Sequence, residues 1–168
     1  GIQVTEIIPF LARAIEQRRP GKVIDVAPCQ DVVVTNPDLD TLPILRHCEL
    51  DGGNYISSGV VITRHPQHGQ NADFHRCMQF SPFEMAVRIV RSRHFDTYLR
   101  DLKQVDVAIC IGNAPNVLAA AATSVEIGVN ELDIANALEP TPLVRAKTVD
   151  LLVPAEAEFV IEGTVYLD

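Results

Sequence analysis

The sequence contains no tryptophan, little positive charge and no long hydrophobic run. Its 168 residues carry 14 basic and 22 acidic side chains, which gives a formal net charge of -8. Nucleic acids and anionic membranes bind clusters of Lys and Arg, so this balance argues against both as partners. No stretch of about 18 apolar residues is present, so no membrane span is predicted.

Cysteine pairs and targeting signals are also missing. The four cysteines stand apart, with no CxxC pair, which argues against a zinc knuckle or a redox dithiol. The first residues, GIQVTEII, show no basic leader followed by an apolar stretch, so no secretory signal is expected. We therefore expect reduced thiols in a cytoplasmic protein. Because Gly1 is not a methionine, we also expect the chain to be a fragment of a longer protein.

The residues that are present indicate one folded domain. A hydrophobic fraction of 47% argues against disorder, and the length suits a single domain over residues 1–168. Apolar residues recur at helical spacing over residues 3–17, and the breakers at residues 18–21 end that helix. Residues 1–26 are thus predicted to form an N-terminal helix and a lead-in.

The remaining pattern predicts antiparallel strands with inserted helices. Alternating and β-branched apolar residues predict strands over residues 22–28, 31–35, 55–66, 72–81, 84–90, 106–112 and 158–167. Helices are predicted from Ser92, as N-cap, to Lys103, over residues 116–123, and over Glu131–Leu138 with Asn130 as the cap. The predicted fold class is α+β, in an arrangement able to close as a barrel.

No compact catalytic motif stands out, because GxGxxG, P-loop, HExxH and GxSxG patterns are all absent. His65 and His68 lie in a polar turn without ligand spacing and are most simply surface histidines. His94 lies in the first turn of a predicted helix, where the dipole favours the neutral, metal-binding imidazole, although an exposed histidine is the simpler interpretation. Arg76 falls within a half-apolar predicted strand, so its charge must be paired, face a cavity or reach solvent.

Several stretches together resemble the central domain of the UbiD family of decarboxylases. They occur in family order and cover nearly all of residues 27–165: APCQDVVVT, LPILRHCELDGGNYISSGVVITRHPQHGQNADFHR, VAICIGNAPNVLAAAA, GVNELDIANAL and LLVPAEAEFVIEGTV. The resemblance implies a split β-barrel of the FMN-binding type that binds prenylated FMN. It also implies a divalent metal, Mn2+ or Mg2+, at the cofactor phosphate, with K+ nearby.

The resemblance also assigns site residues by position. Asn71, His94 and Glu131 match the family's metal ligands, and Glu131 also touches the K+ site. Arg76 matches the arginine that faces the substrate carboxylate, and Asn71, Arg76 and Glu131 are also expected to contact the cofactor. The other matching residues line the flavin or contribute to the K+ and phosphate sites: Phe74, His75, Ala120, Ala121 and Thr123.

These residue types suit the chemistry that the resemblance implies. Amide and carboxylate oxygens with one imidazole suit Mn2+ or Mg2+ better than zinc. An arginine can bind a carboxylate through two hydrogen bonds, and a flavin supplies the electron sink that loss of carbon dioxide needs. The resemblance thus implies a carboxy-lyase acting reversibly on aromatic or α,β-unsaturated carboxylic acids. A flavin prenyltransferase would supply the cofactor, and the family's C-terminal domain would allow a homo-oligomer.

One family element does not occur in the sequence. The family's acidic proton donor lies in an EGPFG-type motif that follows the final strand, and no such motif occurs here. We therefore expect the chain to be the cofactor-binding part of such an enzyme and to be inactive alone. Two alternatives stay open. One is a non-catalytic module that binds a flavin phosphate or a metal, and the other is a flavin-reductase-like barrel using ordinary FMN, for which no nicotinamide site is found.

Overall fold

The computed structural model describes residues 3–167, which form a mixed α+β fold. The strands are β1 (Val23–Ile24), β2 (Asn54–Ile56), β3 (Val60–His65), β4 (Gly69–Phe74), β5 (Cys77–Ser81), β6 (Glu84–Val87), β7 (Gln104–Ile111), β8 (Leu143–Arg145), β9 (Leu152–Pro154) and β10 (Phe159–Tyr166). The helices are α1 (Ile7–Glu16), α2 (His94–Leu102), α3 (Pro115–Ala121) and α4 (Glu131–Leu138). The predicted α+β class is therefore confirmed.

The strands pair into three sheets within the described residues. The largest has the order β10-β7-β3-β4, and all of its neighbouring strands are antiparallel. A second antiparallel sheet has the order β2-β5-β6, and the third, β1-β8-β9, contains the parallel pair β1/β8. Strand β4 is thus an edge strand of the largest sheet, with one row of backbone groups turned away from the ladder.

The core lies on both faces of the largest sheet, because successive side chains of a strand point to opposite faces. Val60 and Ile62 belong to a cluster that packs against α3 and α4. Val61, on the other face, belongs to a second cluster with Phe95 and Leu99 of α2. The sheet is therefore sandwiched between α2 on one side and the pair α3/α4 on the other.

The predicted helices match the structure well, apart from one cap. The N-terminal helix lies within its predicted range, and the side chain of Asn130 caps α4 by accepting a hydrogen bond from the N–H of Leu132 at 3.1 Å. The prediction of Ser92 as a cap is wrong. Arg93 occupies the N-cap of α2, whereas Ser92 has a φ of 63° and its backbone N–H donates a hydrogen bond to Asp96.

Several predicted strands need correction. Residues 31–35 are not a strand, because Val32, Val33 and Val34 are exposed and no neighbouring strand in the described region pairs with them. The strand predicted over residues 55–66 is broken into β2 and β3, and that over residues 72–81 into β4 and β5. Arg76 lies in this second break rather than within a strand. The short strands β8 and β9 were not predicted, since three residues are too few to show an alternating pattern.

Between residues 3 and 167, no helix has both the length and the apolar character needed to cross a membrane.

Candidate functional site

The candidate site is a cavity of about 300 Å³ at the edge of the largest sheet. Strand β4, the N-terminal ends of α2 and α4, and the segment that follows α3 form its walls. The lining residues are Asn71, Asp73, Phe74, His75, Val90, Arg93, His94, Ala121, Ala122, Thr123, Ser124, Val125 and Glu131. Residues from four separate parts of the chain therefore meet at one edge strand.

The three predicted metal ligands lie together in this cavity. Nδ1 of His94, the first residue of α2, is 2.8 Å from Oδ1 of Asn71 on β4. Oε2 of Glu131, the first residue of α4, accepts a hydrogen bond of 2.8 Å from the backbone N–H of Ala72. Because β4 is an edge strand, this N–H is available to a side chain from α4. The carboxylate of Glu131 is thereby fixed beside Asn71.

Glu131 is a buried acid without a cationic side chain bound to it in the described part of the chain. Only 3% of the surface of Glu131 is exposed. Burial raises the pKa of Glu131 to about 7, the charge of Asp73 adds to that rise, and hydrogen bonds from backbone N–H groups oppose it. A carboxylate in such surroundings gains much from a bound cation, since a positive charge offsets the cost of taking the negative charge out of water.

The donor set and its spacing fit a divalent cation of the Mn2+ or Mg2+ type. Ligands about 2.1 Å from an octahedral ion and at right angles to each other lie about 3 Å apart, close to the 2.8 Å between Asn71 Oδ1 and His94 Nδ1. Among residues 3–167, no group of three or more His, Cys, Asp or Glu side chains could hold a metal. A site here therefore depends on the amide oxygen of Asn71.

The other predicted cofactor residues divide into two groups. Phe74, His75, Ala121 and Thr123 line the cavity, whereas Ala120 is 1% exposed and packs in the core on α3. Arg76 is exposed and is not among the cavity-lining residues. Its carbonyl accepts a hydrogen bond from Arg88, which ties β5 to the segment after β6. Arg76 therefore directly follows a cavity-lining residue, His75, but does not itself line the cavity.

Asp73 was missed by the sequence analysis, although a signal was available. It stands two residues after Asn71 on β4, so both side chains project from the same face of the strand. Oδ1 of Asp73 lies 2.8 Å from Nε2 of His75, and both residues line the cavity. The alternation that places Asn71 in the site therefore also places Asp73 there.

Both ring nitrogens of His75 face acceptors. Nδ1 is 3.0 Å from the carbonyl oxygen of Arg88, and Nε2 faces the carboxylate of Asp73. Since a carbonyl and a carboxylate only accept hydrogen bonds, this environment favours a proton on each nitrogen. Burial alone lowers the pKa of His75, but Asp73 and the Arg88 carbonyl outweigh it, so the pKa is raised above 6.5. His75 and Asp73 form an ion pair in the cavity wall.

Asp73→Asn is expected to lower the pKa of His75, because the variant keeps the size of the side chain and removes its charge. A raised pKa means that His75 stabilises the fold fully below pH 6.5 and that this contribution is lost as the pH rises through the folded-state pKa. The stability difference between wild type and variant should therefore be largest in acid. Histidine NMR titrations measure the pKa directly. An unchanged His75 midpoint would contradict the ion pair, and the exposed Asp25→Asn serves as control.

The cavity also suits an anionic group beside the cation. Helices α2 and α4 both begin at its wall, and the N-terminal end of a helix carries a partial positive charge. Arg93, the N-cap residue of α2, also lines the cavity. The buried carboxylate of Glu131 lines the same cavity, so a dication bound there would also favour an anionic group such as a phosphate.

Comparisons with known proteins agree on one family. Residues 22–168 match the family model UbiD, described as the 3-octaprenyl-4-hydroxybenzoate carboxy-lyase Rift-related domain. The anhydromevalonate phosphate decarboxylase of Methanothermobacter thermautotrophicus is 38% identical over 170 residues, which are 97% of this chain and 39% of that protein. The enzyme of the same name from Methanocaldococcus jannaschii is 34% identical over 98% of this chain and 40% of its own length.

Solved structures show the same fold. An evolved dimeric form of the UbiD-class enzyme HmfF from Pelotomaculum thermopropionicum, in complex with prFMN, superposes with a TM-score of 0.90 at 34% identity. The match covers 98% of this chain and 41% of that one. The vanillic acid decarboxylase of Sedimentibacter hydroxybenzoicus, in its closed form, gives a TM-score of 0.91 at 27% identity, over 99% of this chain and 39% of that one. The chain thus spans about two fifths of the length of each of these four proteins.

Proposed function

The chain belongs to the UbiD family, and we propose that it is the domain of a carboxy-lyase that binds prenylated FMN and a divalent metal. The observation that carries the proposal is the meeting of Asn71, His94 and Glu131 in one cavity. In sequence these residues are far apart, and each is on a different element of the fold. Structurally similar UbiD-class proteins were solved with prFMN or FMN, which supports the same ligand here.

In this proposal the three side chains hold Mn2+ or Mg2+ at the phosphate of the cofactor. Their oxygen and imidazole donors suit these ions, and the helix ends at the cavity suit the phosphate. Phe74 and His75 would line the flavin, and Ala121 and Thr123 would contribute to the phosphate and K+ sites from the segment after α3. Ala120 could contribute only its backbone carbonyl, since its side chain is buried in the core.

Arg76 is proposed to bind the carboxylate of the substrate. Its exposed side chain makes no hydrogen bond or ion pair with residues 3–167, so the guanidinium is available to a ligand. When bound, prenylated FMN supplies the electron sink for the loss of carbon dioxide. The substrate class would be an aromatic or α,β-unsaturated acid. Because three curated relatives are named anhydromevalonate phosphate decarboxylases, anhydromevalonate phosphate is the first substrate to assay.

The proposal extends to the shape and setting of the domain. The four-stranded and three-stranded antiparallel sheets supply the strands for a split barrel of the FMN-binding type. A flavin prenyltransferase would provide the cofactor, and a homo-oligomer is consistent with the evolved dimeric form of the similar enzyme HmfF. The four cysteines are free in the described structure, which suits the reducing cytoplasm.

His94→Ala and Glu131→Ala are each expected to lower bound manganese and bound flavin together, because one ion would link both side chains to the cofactor phosphate. The protein would be produced with a flavin prenyltransferase and then measured by metal analysis and absorbance spectroscopy. Each variant should retain less than about a tenth of the wild-type metal, since removing a ligand costs at least as much as removing a supporting residue.

The control for this experiment is His47→Ala, which makes the same change at an exposed position outside the cavity. This variant should leave the bound manganese and the bound flavin unchanged. Variants that kept wild-type manganese and flavin would rule out Asn71, His94 and Glu131 as the metal site. A loss of manganese with full retention of flavin would instead separate the metal from the cofactor.

A further inference from the structure

Three buried polar atoms lie beneath the candidate metal site without a hydrogen-bond partner on the described protein. They are Oγ1 of Thr63, Nδ2 of Asn71 and the hydroxyl of Tyr98. All three residues are at most 1% exposed. Polar atoms this deeply buried are nearly always hydrogen-bonded, either to protein or to an ordered water. The three atoms therefore each call for a partner other than the described protein.

The fold places the three residues together at one face of the largest sheet. Thr63 on β3 and Asn71 on β4 are directly opposite each other in the antiparallel ladder, so their side chains project side by side from one face. Helix α2 covers that face, and the ring of Tyr98 lies 5.2 Å from the ring of His65, the next residue of β3 on the same face. Tyr98 also follows His94 by one helical turn, so both point to the same side of α2.

The Tyr98 hydroxyl is influenced by the acidic residues of the site. Burial raises the pKa of Tyr98 to about 12, and the negative charges of Glu131 and Asp73 contribute to that rise. Two hydroxyl groups and an amide N–H offer both donors and acceptors, which is the set that a buried water requires, with two to four polar partners. No charged group is needed to complete such a site.

We propose that an ordered water is bound by Thr63, Asn71 and Tyr98, and that Tyr98 is a positioning residue for the metal site. By accepting a hydrogen bond from Nδ2 of Asn71, this water holds the amide so that Oδ1 faces His94 and the cavity. The binding of the water follows from the three buried atoms alone. The effect on metal affinity rests on the proposed function.

The test is a double-mutant cycle with Tyr98→Phe and Thr63→Val, two variants that remove one hydroxyl each and keep the shape of the side chain. Mn2+ alone is the probe, and its dissociation constant is measured by electron paramagnetic resonance where every variant is folded. Each single variant should weaken Mn2+ binding about tenfold, as loss of a ligand-orienting partner does. The double variant should be no weaker than either single, because both remove the same water.

Urea unfolding of the same four proteins gives a second readout that does not depend on metal. A shared water predicts that each single variant is less stable than wild type and that the two losses do not add. Tyr98→Phe that raised stability and left Mn2+ binding unchanged would overturn the proposal, because that is the behaviour of a hydroxyl with no partner at all. Losses that add in both measurements would also overturn it.

The control is Tyr166→Phe at an exposed position, which should change neither readout. If wild-type protein failed to bind Mn2+, the metal site of the proposed function would be wrong, and the unfolding cycle would still decide whether the water is present. A failure of the water proposal and a failure of the proposed function are therefore distinguishable.

Discussion

Glu131→Gln is expected to stabilise the metal-free protein above pH 7 and to weaken Mn2+ binding by about 100-fold or more, beyond the roughly 10–100-fold typical of residues that only support a ligand. Both effects have one cause, the burial of a carboxylate that raises its pKa from 4.5 to about 7. Glutamine keeps the acceptor for the Ala72 N–H and carries no charge.

The sign follows from proton binding. Between pH 4.5 and about 7, the folded protein holds a proton on Glu131 that the unfolded chain has released, so stability falls as the pH rises. Above that range the full penalty applies, on the order of 3 kcal/mol for a shift of this size. The attraction of the carboxylate to the start of α4 opposes the gain from glutamine by about 1 kcal/mol.

Urea unfolding in the presence of a chelator, at pH 5 and at pH 8, would measure this effect. We expect Glu131→Gln to exceed wild type in unfolding free energy at pH 8 by about 2 kcal/mol and by much less at pH 5. Glu126→Gln, an exposed change of the same kind, should match wild type at both values. Equal stability of Glu131→Gln and wild type at pH 8 would show that the carboxylate carries no burial penalty.

A side chain that weakens the metal-free fold is informative about function. Perturbed acids concentrate at functional sites, because packing alone gives no benefit from a charged group in apolar surroundings. Glu131 lies at the start of a helix, where a glutamate would also be expected for helix stability. The structure separates the two explanations, since Glu131 is bonded to the edge of β4 and not exposed at the helix end.

The elements predicted most accurately from sequence are those with local signals. Helix α4 has a cap at Asn130 and an acidic first turn, and both features are encoded within a few residues. The strand predicted around Val32–Val34 was wrong because β-branched residues favour a strand only where a neighbouring strand is present, which no local pattern can show. The prediction of Ser92 as the N-cap was wrong for a different reason: its φ is 63°, whereas the N-cap residue of a helix is extended, and Arg93 takes that position.

The candidate site depends on contacts between distant parts of the sequence more than the individual helices do. The resemblance supplied Asn71, His94 and Glu131, and the structure brings them into one cavity. The spacing of these residues in the sequence could not have shown that they meet. The register of β4 against β3 and the packing of α4 on the sheet edge decide which side chains come together. The presence of Asp73 in the site can be predicted once that register is known. Arg76 does not line the cavity, and it lies between the end of β4 and the start of β5.

Leu132→Ala is expected to lower the unfolding free energy by about 3 kcal/mol, the usual cost of removing a leucine side chain from a tightly packed core. Leu132 is 1% exposed and belongs to the core cluster that includes Ala72 of β4. It follows Glu131 directly, so its packing against the sheet fixes the first turn of α4. The variant should therefore also weaken Mn2+ binding where it is still folded, because the carboxylate of Glu131 would no longer be held beside Asn71.

The matched control is Leu50→Ala, since Leu50 is 99% exposed and the same atoms are removed. Its unfolding free energy should stay within about 0.5 kcal/mol of wild type, as is usual for exposed positions. If Leu132→Ala destabilised the fold as expected but bound Mn2+ with wild-type affinity, the position of Glu131 would not depend on the packing of α4. The hydrogen bond from Ala72 would then be sufficient to hold the carboxylate, and Glu131 would be anchored by the sheet edge rather than by its own helix.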